Sequence, residues 1–532
     1  MRIPIVNMDS VGIITDISPH DLPFSAWSAG RNVRMIDGRV EKMPGHKQSF
    51  PPQIEPLFLL PFQHVTGYWW LYASTEQIFA YQNGVVSDAT RRVIPYNAAG
   101  GQWSGGILNG IVILSNPNDI PQQWVPGAGS FATDLAHWPT EWRTRNLKPF
   151  GNFLVALGTT KAGALQPYNV NWSHPAEPGT VPISWDIADP TKDAGEVTLA
   201  DTEGFVVNQL TMGDVNLIYK EDSVYAMQYI GGNSIFNFKR LFKENIGLLM
   251  PNGLCSFTPP GRSPHHMVFA PNDIVVHDGR SITSVFEGKM RKWLYNNLDS
   301  DNFLRSFIVN NVQMKEIWLC FPLVGATWPN CALVWNYNNN TTTIRDLPSV
   351  TCGAVGQITE VISGQTQASW DADTGVWDAD TSTWGSSAYQ PVTSRLMMGS
   401  IAAQRKMIVM DLGTQFEDAL YNSVVERTGL SVVGTDKTGK PIEDSEVVKL
   451  ITEVWIRAQG NVGTILQCFV GTQDDRGSYP IWNGPYPFVI GVDKKINPLV
   501  SGRIVSVRFE SDAASMWQLH GYDLELKPIG GY

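Results

Sequence analysis

The feature that most constrains this chain is a pair of short apolar runs that recurs along it. Each unit has an apolar β run, a few polar residues, a second short run, and then a turn containing Gly, Asn or Pro. The units are YWWLYAS with IFAYQNG (Tyr68–Gly84), IVILSN with QQWVPG (Ile111–Gly127), FLVALG with VNWS (Phe153–Ser173), VNLIYK with VYAMQYIGG (Val215–Gly232), MVFA with IVVHDG (Met267–Gly279), and IWLCFP with ALVWNYNNN (Ile317–Asn340). Their starts lie 43, 42, 62, 52 and 50 residues apart, near the ~40–50 residues of a four-stranded propeller blade. A lone blade cannot bury both faces, so such units are expected to close radially and leave only short protected edges. The pattern therefore predicts a mainly β protein whose residues 51–365 form a β-propeller-like body of six visible blade-like repeats. The alternative is a set of unrelated hairpins in one or two sandwiches.

Composition supports a turn-rich β chain. Charged residues are 17% of the 532, below the ~25% of average soluble proteins, while 43% are hydrophobic and 19 are Trp. That balance argues against disorder and coiled coil. One stretch, Gly288–Phe307, reads as helical, an excursion between the fifth and sixth units. Near the N-terminus, Ser18, Asp21 and Pro23 are placed to open a short helical turn carrying Ala26 and Trp27. NVRMIDGRVEKM then alternates around Asp37-Gly38, a strong hairpin signal. Residues 1–50 are accordingly read as an N-terminal segment with a β-hairpin. After Ala388 the composition shifts, and VVERTGLSVVG, EVWIRAQG, LQCFVGTQDD, SGRIVSVRFES and WQLHGYDLELKPIGG predict a separate C-terminal β-sandwich over 390–532.

Between these parts, residues 366–389 form a Trp/Asp-rich loop containing SWDADTGVWDADTSTWG. Trp370, Trp377 and Trp384 recur every seven residues, an odd period that would put successive rings on opposite faces of a strand. A loop or a pair of hairpin arms fits better. Asp371, Asp373, Asp378 and Asp380 suggest calcium, but the spacing lacks the central Gly and final Glu of an EF-hand loop. The Trp side chains also suit sugar stacking or anchoring of a partner chain. These seven residues are the candidate gate or partner-interface loop.

The net charge is −11 and no Lys/Arg run occurs, which disfavours a sequence-specific DNA reader. An acidic wall would still let a duplex slide without sticking. Five widely spaced cysteines without a CxxC pair read as reduced, buried apolar residues. No apolar run approaches the ~18 residues of a membrane span, and MRIPIVNMDS lacks the apolar core of a leader, so folding in a reducing cytoplasm is expected. GxxxxGK[ST], HExxH and GxSxG are absent, and no enzyme activity, cofactor or metal is expected. His265, His266 and His277 read as turn and strand-edge histidines rather than ligands. The strongest enzymatic rival is a carbohydrate-active propeller, but a repeated Ser-x-Asp-x-Gly-x-x-Thr-Trp box is missing.

Several segments carry a family resemblance: GIITDISPHDLPFSAWSAGRNVRMIDGRVEKMPG, NFLVALGTT, VNWSHPAEPGTVPISWD, LIYKEDSVYAMQYIGG, APNDIVVHDG, RTGLSVV, and SGRIVSVRF through GYDLEL. In their order along nearly the whole chain, they resemble the tail nozzle, or tail tubular protein B-like, proteins of short-tailed bacteriophages. The resemblance implies a structural virion protein with a β-propeller and platform elements, the N-terminal hairpin among the latter. It implies a homo-hexameric ring at the distal end of the tail that closes the DNA channel and conducts genomic double-stranded DNA without reading its sequence. It further implies contacts with an upstream adaptor or tail-tube ring and with fibres or spikes. The competing expectation is a receptor- or glycan-binding tail component, with or without glycan hydrolysis.

Overall fold

A computed structural model describes residues 2–127, 130–232, 234–358, 393–401, 405–435 and 441–531. Among these residues the chain forms seven four-stranded antiparallel sheets, a five-stranded sheet, a seven-stranded sheet and one two-stranded ribbon. Six of the four-stranded sheets are consecutive meanders. Blade 1 begins at Phe58–His64, blade 2 at Ser104–Leu108, blade 3 at Trp142–Phe150, blade 4 at Val206–Met212, blade 5 at Leu254–Phe257 and blade 6 at Phe307–Asn311.

Each of the six sequence units proves to be the second and third strands of one blade. The reason those strands were visible is burial on both faces. In blade 6, Ile317, Leu319 and Phe321 pack toward blade 5, whereas Trp318 and Cys320 pack toward the next blade. In blade 4, Leu217 and Tyr219 face one neighbour and Ile218 the other. A strand with period-two side chains and a seam on each side must be apolar at every position. The fourth strands of blades 1 to 5 are more exposed, as in Gly195–Thr198 of blade 3, and carry mixed sequences.

The seventh blade was not foreseen, because its strands are scattered in sequence. Val350–Ile358, Thr393–Ser400 and Lys406–Met410 supply three strands, and His46–Phe50 supplies the fourth. All seven seams between neighbouring blades hold a hydrophobic cluster, including the closing seam, where Phe50, Met397, Met407 and Val409 meet Leu59, Trp70 and Tyr72 of blade 1. First strands of adjacent blades lie side by side from blade 2 round through blade 7 to blade 1, as strands nearest a common axis do. The body is thus a closed β-propeller.

Two expected boundaries are corrected by the pairing. Residues 393–410 belong to the propeller and not to a C-terminal domain. Residues 1–50 are not a separate segment. Arg2–Ile5, Val33–Ile36 and Arg39–Lys42 join the sheet built on Val447–Gly460 and Trp517–Gly531, while Ala29–Arg31 edges the sheet of Ser423–Leu430, Ile504–Ser511, Ile465–Gln473 and Ile481–Val489. These two sheets share one hydrophobic cluster with each other and with blades 5 and 6. Asp37 and Gly38 do make the expected tight turn, with φ of 52° and 80°, between strands in register from Val33↔Lys42 to Ile36↔Arg39. Helix Arg291–Asn297 falls where the sequence placed helical character, whereas the N-terminal helical turn covers only Pro19–Asp21 and does not carry Ala26 or Trp27, the latter bridging to Ile13 instead.

The crossing from the second body into blade 7 runs through Gly45. A Cβ there would lie 1.8 Å from the backbone oxygen of Gln415. Gly45→Ala is expected to lower stability by at least about 2 kcal/mol through this backbone clash. Urea denaturation checks this, and a midpoint equal to wild type would show that closure does not depend on the close approach.

Candidate functional site

Trp370, Asp371, Asp373, Trp377, Asp378, Asp380 and Trp384 lie outside the described residues. Their flanks are described. Val350–Ile358 and Thr393–Ser400 pair continuously from Val350↔Ser400 to Ile358↔Thr393, with one irregularity. Residues 359–392 therefore connect the first and second strands of blade 7, and the expected domain linker is an insertion within a blade.

The described residues bring chemistry together at the junction of the two bodies. Arg34, from the N-terminal hairpin, donates from Nε and Nη2 to the two carboxylate oxygens of Glu316 in blade 6, at 2.6 and 3.0 Å. Nη2 also donates to Asp411, just past blade 7, at 2.9 Å. Asn311 donates to the same Asp411 oxygen and Trp318 Nε1 to Glu316, at 2.9 and 3.1 Å. All three charged side chains are at most 7% exposed. The two carboxylates more than offset the burial of the guanidinium and hold its pKa far above the ordinary value, while burial raises that of Glu316. Nearby, the fourth strand of blade 6 is capped by the N-terminal segment. The N–H groups of Ile13 and Asn32 donate to the carbonyls of Thr342 and Ile344, and Thr343 Oγ1 donates to Val33. Apart from Trp318 and Glu316, these partners are far apart in sequence, and no motif announced them.

The first strands around the propeller axis contain no Asp or Glu; their charged residues are Arg143, Arg145 and Lys148, all in blade 3. Lys148 donates to Asn208 Oδ1 and the Gln209 carbonyl at 2.8 and 3.0 Å, and burial lowers its pKa to about 8. Asn146, Gln209 and Asn216 continue this amide network across blades 3 and 4. Charge of the sign expected for a low-friction wall is therefore absent from these axial strands.

The histidines correct another expectation, since His266 and His277 are fully buried between blades 4 and 5 rather than at strand edges. Tyr219 Oη lies 2.7 Å from His266 Nδ1 and 2.9 Å from His277 Nε2. The ends of the chain fix its direction, because a backbone N–H only donates and a carbonyl only accepts. Gly279 N–H donates to His277 Nδ1, so His277 Nε2–H donates to Tyr219. Tyr219 O–H donates to His266 Nδ1, and His266 Nε2–H donates to the Thr211 carbonyl. Both imidazoles are thus neutral with the proton on Nε2. Burial lowers their pKa values to about 4 for His266 and about 3 for His277, assisted by Lys148 and His265 at the first and by His266 at the second. The five cysteines are free and buried or half-buried, and burial pushes their thiols up, Cys352 to about 11. Among the described residues no group of three or more His, Cys, Asp or Glu is placed to hold a metal ion, and no helix is long and apolar enough to cross a membrane.

Because the seam histidines titrate lower in the folded than in the unfolded chain, their stabilisation is complete above the ordinary histidine pKa and is lost as pH falls toward the folded values. Between about pH 7 and pH 5 the pair is expected to cost about 4 kcal/mol. His46, also buried and lowered to about 3, contributes separately. Urea midpoints of wild type and the His266→Gln/His277→Gln variant at both pH values isolate the seam. An equal acid sensitivity in the two proteins would remove these histidines as its source.

No protein-family model and no curated protein matches the chain. Solved structures with a similar chain course include the WD40 β-propeller domain of Doa1, at 8% identity and TM-score 0.38, covering 69% of this chain and 97% of that one. YCF48 bound to D1 peptide aligns at 8% identity and TM-score 0.34, covering 61% and 88%. BBS1N in complex with ARL6DN aligns at 9% identity and TM-score 0.29, covering 58% and 84%.

Proposed function

We propose that this chain is the nozzle subunit of a short-tailed bacteriophage tail. In this reading it is a structural virion protein, assembled in the host cytoplasm, that forms a hexameric ring, closes the DNA channel and conducts DNA during ejection without turnover. The observation that carries the reading is the weaving of residues 2–50 through both bodies. Four of its strands lie in the second body and one closes the propeller. The two parts are joined by chain crossings on both sides, by a shared hydrophobic cluster and by the ion pairs of Arg34 with Glu316 and Asp411. A heterologous ring closes only if the rotation from subunit to subunit is fixed, and a rigid two-part subunit supports that.

The segments that carry the resemblance are distributed over both bodies. NFLVALGTT contributes the second strand of blade 3, LIYKEDSVYAMQYIGG the second and third of blade 4, and RTGLSVV and SGRIVSVRF neighbouring strands of the five-stranded sheet. With no carboxylate on the first strands, the DNA passage of this reading runs between subunits rather than along a propeller axis. Its other partners are the upstream adaptor or tail-tube ring and the fibres or spikes.

Electron microscopy of the purified chain, alone and mixed with lysate from cells carrying its neighbouring genes, tests the proposal. Six-fold rings around a central channel are expected. Particles that stay strictly monomeric in the presence of the tail partner would overturn it, and trimers that bind surface polysaccharide would favour receptor recognition.

A further inference from the structure

The two chain crossings between the bodies are clasped to each other. Residues 43–46 carry the chain into blade 7 and residues 411–421 carry it out. Gly45 N–H donates to the Gly413 carbonyl at 2.8 Å and His46 N–H to the Gln415 carbonyl at 3.1 Å. In return, Leu412 N–H donates to the Gly45 carbonyl at 3.1 Å and Glu417 N–H to the His46 carbonyl at 2.8 Å. The outgoing segment is bent to make these bonds. Asp411 and Glu417 hold φ of 58° and 56°, a left-handed conformation that costs energy in a residue with a Cβ. Contacts of other side chains must therefore keep the clasp closed.

A ring stack supplies them. The His46 ring lies on Phe416 with centroids 4.6 Å apart at 26°, and Phe416 lies on Tyr421 at 3.9 Å and 10°. Tyr421 donates its hydroxyl to the Met43 carbonyl, and Lys42 Nζ sits 4.1 Å from its ring centre. Arg345, from the fourth strand of blade 6, places Cζ 4.8 Å from the Phe416 centre. The stack thus joins the N-terminal hairpin, blade 6 and the exit of blade 7.

The charges around His46 are those a protonated imidazole tolerates least. His46 is 1% exposed, and its buried Nδ1 has no hydrogen-bond partner among the described residues. Arg345 is fully buried beside it, Lys406 approaches from the third strand of blade 7, and the stem of Lys47 passes Gly413. The acids of the surrounding elements are committed elsewhere or lie in solvent. Glu417 pairs with Lys406, Asp411 with Arg34, and Asp346 with Arg31, while Asp418 is exposed. Burial, then Arg345 and Lys406, lower the His46 pKa to about 3.

We propose that this clasp is an acid-sensitive latch between the propeller and the second body, closed while His46 is neutral and released from Gly45 and His46 by protonation of that ring, with the blades still folded. A group whose folded pKa is depressed stabilises fully above its ordinary value and loses that contribution as pH falls toward the folded value. In the open clasp His46 titrates near its ordinary value of about 6.5, so the open fraction is expected to rise about 25-fold from pH 7 to pH 5. The latch is independent of ring formation and of residues 359–392.

Hydrogen exchange of the purified full chain at the two pH values, corrected for the chemical exchange rate and read by mass spectrometry on peptides covering 43–47 and 411–421, tests it. Opening about 25-fold greater at pH 5 is expected in wild type. No rise is expected in His46→Phe, which keeps a ring in the stack and cannot titrate, or in His46→Gln, which gives a second uncharged replacement. Peptides around His266 and His277 report acid opening of the seam between blades 4 and 5 separately. Clasp opening that changes by less than about two-fold in wild type would overturn the latch. So would an equal rise in the folded variants, or a wild-type rise that only tracks the seam peptides.

Discussion

The pairing of His46–Phe50 with Lys406–Met410 is the contact on which the rest of the architecture depends. A propeller whose last blade is completed by an early strand has its two chain ends locked to the same sector of the ring. Residues 2–42 and the chain after Met410 then emerge side by side, and the cheapest way to bury their apolar faces is to build sheets together. The second body is a consequence of closure. It could not form from the C-terminal residues alone without losing the hairpin at Asp37-Gly38 and the strand Arg2–Ile5 that pairs with residues 522–525.

The polar interior sets register more than it adds net stability. A buried ion pair such as Arg34–Glu316 gives back in attraction much of what its desolvation costs, while loss of one partner leaves an uncompensated charge worth about 3–5 kcal/mol. Arg34, Glu316 and Asp411 come from the N-terminal hairpin, blade 6 and the exit of blade 7, so only one docking of the two bodies satisfies all three. The seam between blades 4 and 5 works similarly. Its Tyr219 chain has one donor direction, and a slip of either strand by one residue would point the histidines into the opposite seam.

Legibility in the sequence followed burial and locality. The second and third strands of six blades were readable because two seams demand unbroken apolar runs. Asp37-Gly38 was readable because a two-residue hairpin turn needs positive φ at both positions. Helix Arg291–Asn297 showed itself by composition. Blade 7 was hidden, since no local pattern links Phe50 to Met407, and residues 359–392 resembled a domain border while interrupting a hairpin. The contact of Trp185 with Trp138 was hidden for the same reason, since it forms only when residues 173–194 fold back over the seam of blades 2 and 3.

The sequence by itself determined the repeating β unit, the tight N-terminal hairpin, the buried character of the thiols and the lack of common catalytic signatures, because each is written in neighbouring residues. Tertiary structure alone decided that seven blades close the ring, that the N-terminus completes both bodies, and that His266 and His277 share one tyrosine. Those outcomes depend on contacts between residues tens to hundreds of positions apart, where geometry rather than local pattern selects the partner.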